Sequence, residues 1–216
     1  MAKVTGSRSR SQPLWPGYEP GHSVGLEFHA YPGRSLMRPS KRDDILDAAV
    51  AVLESDGIAA VTFESVAKAS GITKGGLIYH FSSKQGLFQA MHDRKAAQWE
   101  EQLQEKLGAH PETATVAERV AAYARVSAHR ATSADLLLML SAANTPSFRA
   151  SYSAVSSRWV PDASTLSATD PASLRLMNAV LAADGLWASD GIGELRLSQP
   201  QREALADHIV RTLTDS

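Results

Sequence analysis

The sequence predicts an all-α protein: an N-terminal three-helix domain carrying a helix-turn-helix, then a larger helical bundle. Three observations predict the helices. Apolar residues recur at helical spacing from Ile45 onward. Ser or Thr opens the segments, and Gly or Pro separates them. Alternating strand patterns are essentially absent. The stretch "IGELRLS" at 192–198 has some strand character, but a single strand has nothing to pair with.

Residues 1–37 are rich in Pro, Gly and Ser and show no period, so a flexible arm is expected. Two readings of it are open: translation starts at Met37, or the basic arm is real and touches DNA. From Ser40, apolar positions at Ile45, Leu46, Ala49, Val52 and Leu53 form one helical face. Ser40 with Asp43 reads as a capping box, and Gly57 as the stop. Thr62 caps a short helix "FESVAKAS" that Gly71 ends. Thr73 caps a third, over about 74–80. Ser82 and Ser83 open a fourth, with Gln85 at capping-box distance from Ser82, running to Leu107 before Gly108. Further helices are expected near 114–130, 133–143, 147–159, 171–190 and 199–213. Their breakers are Pro111, Pro146, Pro161, Pro171, Gly191 and Gly193. Ser198 with Gln201 is another capping box, and Pro200 is tolerated in that first turn. The domain reading is 1–37, 38–98 (helix-turn-helix 62–81) and 99–216.

Composition narrows the function classes. The 216-residue chain has 44% hydrophobic residues, enough to bury a core. It has no cysteine, which excludes disulfides, thiolate metal sites and cysteine nucleophiles. No apolar run approaches the roughly 18 residues of a membrane span. "LLLML" at 136–140 is core-sized, and no signal-like segment follows Arg8 and Arg10. A cytoplasmic protein with no membrane partner is expected. Gly-x-Ser-x-Gly, phosphate-loop and His-Glu-x-x-His motifs are missing. Seven scattered His suggest no metal site, and Asp184 and Asp190 read as isolated helix polars. Neither an enzyme nor a cofactor is expected.

Residues 62–81, "TFESVAKASGITKGGLIYHF", have helix-turn-helix spacing with Gly71 at the turn. Phe63, Val66, Ala67, Ile72, Leu77 and Phe81 supply the apolar contacts. Thr73, Lys74, Gly75, Gly76, Tyr79 and His80 are left for the exposed face. Two glycines in a seven-residue helix cost about 1 kcal/mol each relative to alanine. They make sense if the backbone must approach base edges closely. Lys74 would reach guanine O6 and N7 or a phosphate. Tyr79 and His80, at the far end, are placed for phosphates. The helix start at Ser83, with Lys84, forms an anion site, and Thr62 is a second phosphate candidate.

The stretch 42–88 closely resembles the DNA-binding domain of the TetR (tetracycline repressor-like) transcriptional regulators. The matching features are the "AA…L…G" of the first helix, Thr62, "VA" at 66–67, Gly71, "YHF" at 79–81 and "K..LF" at 84–88. The resemblance implies operator contacts at Thr62, Thr73, Lys74, Gly75, Tyr79, His80 and Lys84. Many members carry two aromatics before the His; here the first of these positions is Ile78, which either loses a phosphate contact or packs inward. Between residues 38 and 95 eight Lys and Arg face seven acids. Bulk charge therefore cannot supply tight binding, and two copies acting together are needed. A homodimer on a pseudo-palindromic operator follows, with recognition helices about 34–36 Å apart or a multiple of that.

The resemblance also implies that the C-terminal part binds a small effector and dimerises. The last two helices would pair with their copies through Leu174, Met177, Leu181, Leu205, Ile209 and Leu213. The alternative is that these side chains are all core. Candidate pocket residues are Trp99, Tyr123, His129, Leu137, Met139, Phe148, Tyr152, Trp159 and Trp187, with His129, Arg130 and Asn144 as polar anchors. Each is also a plausible core residue. The expected function is a sequence-specific regulator, a repressor released by its effector. The rivals are a regulator with a protein effector or none, and a helical module or enzyme with a degenerate DNA domain.

Overall fold

In the computed structural model, residues 40–193 and 195–213 are described. The expected N-terminal arm lies outside them. The described residues form nine α-helices: α1 (Lys41–Asp56), α2 (Phe63–Ser70), α3 (Lys74–His80), α4 (Lys84–Leu107), α5 (Val116–Val126), α6 (Ser133–Ala143), α7 (Pro146–Trp159), α8 (Pro171–Ile192) and α9 (Gln199–Thr212). Short 3-10 turns lie at Ile58–Ala60, Pro111–Thr113 and Ala163–Thr165, and the segment "IGELRLS" forms no strand over its described residues.

Local capping chemistry explains most boundaries. The Asp43 amide donates to Ser40 Oγ at 3.2 Å, and Ser40 Oγ donates to the Asp43 carboxylate at 2.8 Å. Gly57 and Gly71 take positive φ where α1 and α2 end, a conformation that favours glycine. α4 is capped by Ser83, whose Oγ accepts from the Gly86 amide at 3.0 Å, rather than by the expected Ser82–Gln85 pair. α5 is shorter than the 114–130 expected. The Thr115–Glu118 box starts it two residues late, and the chain tightens into turns after Val126. Pro171 opens α8 where expected and Pro146 opens α7 one residue early, since a proline in the first turn gives up an amide that has no helical partner there. Gly191, expected as a breaker, lies inside α8. A Cβ there would sit 2.8 Å from Leu136 and 3.2 Å from Ala131, so α6 packs directly on its backbone.

The first core joins α1–α4 to α6 and α7. Ile45, Leu46, Leu53, Val66, Leu77, Phe81, Leu87 and Met91 pack with Leu138 and Phe148. α4 passes straight through the domain boundary expected at residues 98–99, and this core takes side chains from both sides of it. A second core gathers Leu103, Ala122, Val126, Val155 and Trp159, with Trp99, Tyr123 and Tyr152 at its edge. The "LLLML" run splits: Leu138 is fully buried, whereas Met139 and Leu140 are exposed.

Asp184 and Asp190 are both partnered, contrary to expectation. The Tyr123 hydroxyl donates to the Asp184 carboxylate, whose pKa burial raises. Asp190 forms a buried ion pair with Arg202 at 3.2 Å. Arg202 also donates to the carbonyls of Ala128 and Leu197 and to the Gln199 side chain. One guanidinium thus ties the start of α9 to the ends of α8 and α5, satisfying its donors in a site that would otherwise penalise the charge.

Candidate nucleic-acid interface

The helix-turn-helix is held from behind. Val66 and Leu77 are fully buried and Phe81 nearly so, which fixes α2 and α3 on α1 and α4. Burial of each such side chain contributes about 1.5–3 kcal/mol. The outward side then presents Thr73, Lys74, Gly75 and Tyr79, all exposed, with His80 half-exposed. Tyr79 is 87% exposed, and its ring meets His80 edge-on at 5.3 Å. Ile78 is 46% exposed, so it does not pack inward.

The two glycines differ. A Cβ on Gly75 would meet nothing within 4 Å. A Cβ on Gly76 would sit 2.9 Å from the Ile72 Cγ2 methyl and 3.3 Å from Thr73 Oγ1. The Gly76 amide donates to Thr73 Oγ1 at 3.1 Å, closing the cap. Gly76 is thus bare because its own turn leaves no room. Gly75 faces open space, so of the two glycines of α3 it is the one that leaves a bare backbone for an outside molecule.

Three side chains expected to contact DNA already have internal roles. Thr62 Oγ1 accepts from the Ser65 amide at 3.1 Å, while the Thr62 amide donates to Ser65 Oγ at 2.9 Å. Thr73 caps α3, and the Lys84 ammonium lies 5.6 Å from the Phe88 ring centre. Capping does not remove these residues from the surface: Thr73 and Lys84 are exposed and Thr62 is half-exposed.

Sequence reasoning missed Glu64 and Arg42. The Lys74 ammonium pairs with the Glu64 carboxylate, both well exposed. The hydrogen bond from Lys74 is the largest cause of a Glu64 pKa held below the usual carboxylate value. Arg42 lies over the Phe81 ring at 5.2 Å, anchoring the start of α1 near the end of α3. No local pattern signals either contact, because each bridges separate helices.

The residues expected to line an effector pocket are divided among packed environments. Trp99 and Tyr123 meet at 5.9 Å beside fully buried Trp159, in the second core. Phe148 stacks on His92 at 4.4 Å. The Tyr152 hydroxyl lies 3.2 Å from His92 Nδ1, and Ser141 Oγ lies 3.1 Å from Nε2. Ser141 donates its own proton to the Leu138 carbonyl at 2.8 Å, so the ring donates from Nε2 and accepts at Nδ1. His129 and Trp187 are half-buried and Met139 is exposed. The polar anchors Arg130 and Asn144 are exposed, and Leu137 packs against the first core. A groove of about 340 Å³ is lined by Lys106, Leu107, Thr113, Glu118 and Arg125, among others. A second, of about 230 Å³, runs between α8 and α9. None of the eight expected aromatic, Met and His positions lines either groove.

The expected dimer residues lie on a different kind of surface. Leu174, Leu181 and Leu205 are exposed, Leu181 at 66%, while Met177, Ile209 and Leu213 are half-buried. Leu174 and Leu181 are seven residues apart on α8, so they fall on one stripe. Not all of these side chains are therefore core.

Comparison with known proteins agrees with the architecture. A family model described as bacterial regulatory proteins, tetR family, matches residues 45–91. A second, the tetracyclin repressor-like C-terminal domain, matches residues 117–214. Among curated proteins, the nucleoid occlusion factor SlmA of Marinobacter nauticus is 43% identical over 55 residues, which is 26% of this chain and 28% of that protein. The match therefore spans little more than a quarter of that relative. A TetR-like transcriptional regulator from Rhodococcus sp. RHA1 superposes with a TM-score of 0.58 at 20% identity, over 84% of this chain and all (100%) of the other. A TetR-family regulator from Rhodococcus sp. gives 0.59 at 16% identity, over 81% of this chain and 99% of its own. At these identities the superpositions speak to the fold alone.

Proposed function

The chain belongs to the TetR family of bacterial DNA-binding transcriptional regulators, and from that premise we propose that it acts as a cytoplasmic, homodimeric repressor released from its operator by a small molecule. Bases are read by Lys74 and by the bare backbone at Gly75. Tyr79, His80, Lys84 and the helix starts at Thr62 and Thr73 hold phosphates. Gly76 serves the Thr73 cap and makes no contact of its own. The observation that carries the reading is the exposed first turn of α3. An open glycine and a cation share that turn, and the opposite face of the same helix is fully buried.

The domains are residues 38–98 for DNA and 99–216 for the effector and the dimer, joined rigidly by α4. The dimer forms through Leu174, Leu181 and Leu205, whose exposure on α8 and α9 supports the pairing. The effector enters the second core, where Trp159 Nε1 is buried without a hydrogen-bond partner and Tyr123 and Trp99 form the wall. A ligand with an acceptor facing that indole would satisfy it.

The test is a mobility shift of the full chain on its own upstream intergenic DNA at moderate salt. A specific, competitor-resistant shift is expected. Indifference between that DNA and a random duplex would sink the repressor reading.

A further inference from the structure

Lys74 is the first residue of α3, and it is the cation placed nearest the open backbone at Gly75. Its ammonium rests on Glu64, the second residue of α2, ten positions earlier in the chain. The contact therefore links the two helices of the helix-turn-helix on its outer side. An acid at this point weakens any surface that must meet polyanionic DNA, and the local surplus of positive charge is only one. A helix start does favour an acid, but Asp or Glu at several positions would serve that purpose without reaching Lys74.

We propose that Glu64 is a specificity-determining residue: it cancels the charge of Lys74 on random DNA and aims the same ammonium at a base on the operator. The proposal rests on the DNA-binding reading above. An ammonium has three donors and Glu64 takes one, which leaves two for the O6 and N7 acceptors of a guanine. Lysine loses much rotamer freedom when it is fixed, and pairing with Glu64 imposes part of that loss before DNA arrives. On a random duplex no acceptor lies in line. There Lys74 either stays on Glu64 and contributes no net charge, or leaves it for a phosphate and exchanges one anion for another. Glu64 thus lowers nonspecific affinity while leaving the operator contact in place.

The experiment measures binding of the wild type, Glu64→Gln, Lys74→Ala and the double variant by fluorescence anisotropy. Two duplexes of equal length are used, one recovered by sequencing bound genomic DNA and one of random sequence, across a salt series. Glu64→Gln should tighten the random duplex about two- to fivefold, the range of an exposed ion pair. It should also steepen the salt slope on that duplex by about 0.9, one added phosphate contact. Affinity for the recovered site should stay level or fall, so the specificity ratio drops. In the Lys74→Ala background the Gln substitution removes an unpaired acid and should tighten both duplexes alike, leaving the specificity ratio unchanged. Equal tightening of both duplexes by Glu64→Gln with Lys74 present, or the same drop in the ratio without Lys74, would overturn the assignment in favour of simple removal of an acid. A wild type that binds neither duplex removes the DNA-binding reading itself, a result separable from any outcome at Glu64.

Discussion

Gly75 and Gly76 are neighbours in one short helix, and their replacement by alanine should have opposite consequences. Gly75→Ala adds a methyl that meets nothing within 4 Å. It gains helix propensity and restricts the unfolded chain, together about 0.4–1 kcal/mol of stability. For a folded unit of this size, that raises the melting temperature by about 1–4 °C. Gly76→Ala gains the same propensity but puts its methyl 2.9 Å from Ile72 Cγ2 and 3.3 Å from Thr73 Oγ1. Ile72 is β-branched and stiff at χ1, and it packs against the first core, so the clash cannot be relieved by a free rotation. Overpacking of this kind costs about 1–3 kcal/mol, which exceeds the propensity gain. The net expectation is a destabilisation of about 0.5–2 kcal/mol, with partial loss of the Thr73 cap.

Urea unfolding of both variants, followed by circular dichroism, reads these signs directly. Anisotropy with operator DNA supplies the second axis. Gly75→Ala should bind operator at least tenfold more weakly despite greater stability, because its methyl occupies the space through which DNA reaches the backbone. Gly76→Ala should lose affinity only in proportion to its loss of fold. Two outcomes would refute this reasoning: a Gly76→Ala variant as stable as Gly75→Ala, or a Gly75→Ala variant with wild-type operator affinity. The first would show that Ile72 yields; the second, that the bare backbone at Gly75 is not used.

Leu181→Lys places a charge on the exposed stripe of α8. Burial of two leucines per dimer is worth about 3–6 kcal/mol. Sedimentation should therefore show monomer where the wild type is dimeric, with the unfolding of the subunit little changed; a dimer at unchanged concentration would exclude this face. Acid should weaken the fold through His92, whose pKa burial depresses from 6.5 to about 4. The unfolded chain takes up a proton below its ordinary value while the folded chain resists. Stability is therefore complete above pH 6.5 and falls toward pH 4, by at most about 3 kcal/mol. His92→Gln should flatten that portion of a pH series of urea midpoints, and an unchanged slope would assign it to other groups. Gly191→Ala should destabilise by about 1–3 kcal/mol through the Leu136 contact, read from the same midpoints, and a neutral result would show that α6 can retreat.

The features legible in the sequence were those settled within a few residues. Ser40, Thr62, Thr73 and Ser198 announce helix starts because a cap needs only the next turn. Leu77 and Phe81 announce their burial because they lie four residues apart, on one side of the α3 turn. What could not be read depends on which helices meet. Gly191 resembles a breaker until Leu136 is seen across from it. Asp184 and Asp190 look solitary because Tyr123 lies 61 residues away from the first, and Arg202 comes from the following helix. Glu64 was invisible as a functional candidate for the same reason. The aromatic residues of the bundle were legible as apolar, but composition cannot say which of them share a wall.

This packing also constrains how an effector could act. Leu87, Phe88 and Met91 of α4 belong to the core that holds α3, while Leu103 of the same helix belongs to the core around Trp159. Between them a polar seam fixes α4 to α7. Gln89 donates to Asp93 at 2.8 Å and to Ser151 Oγ at 3.1 Å, Ser151 donates to Asp93 at 2.6 Å, and Tyr152 meets His92 one residue on. Lys95 pairs with Asp135 of α6 at 2.6 Å, and Glu54 of α1 accepts from the Ala134 amide at 3.2 Å. The recognition helix therefore cannot shift on its own, because Leu77 and Phe81 tie it to α1 and α4. A ligand that wedges α7 away from α4 in the second core would work against this seam. The seam's hydrogen bonds hold a fixed register, so α4 must either resist or move as a unit with α3 attached. On the proposed reading, an effector would change operator affinity by altering the separation of two rigid reading heads rather than by unfolding either one. Breaking the seam with Asp93→Ala should accordingly loosen operator binding in the absence of any effector. The measurement is operator affinity at constant fold, and an unchanged affinity would place the coupling elsewhere.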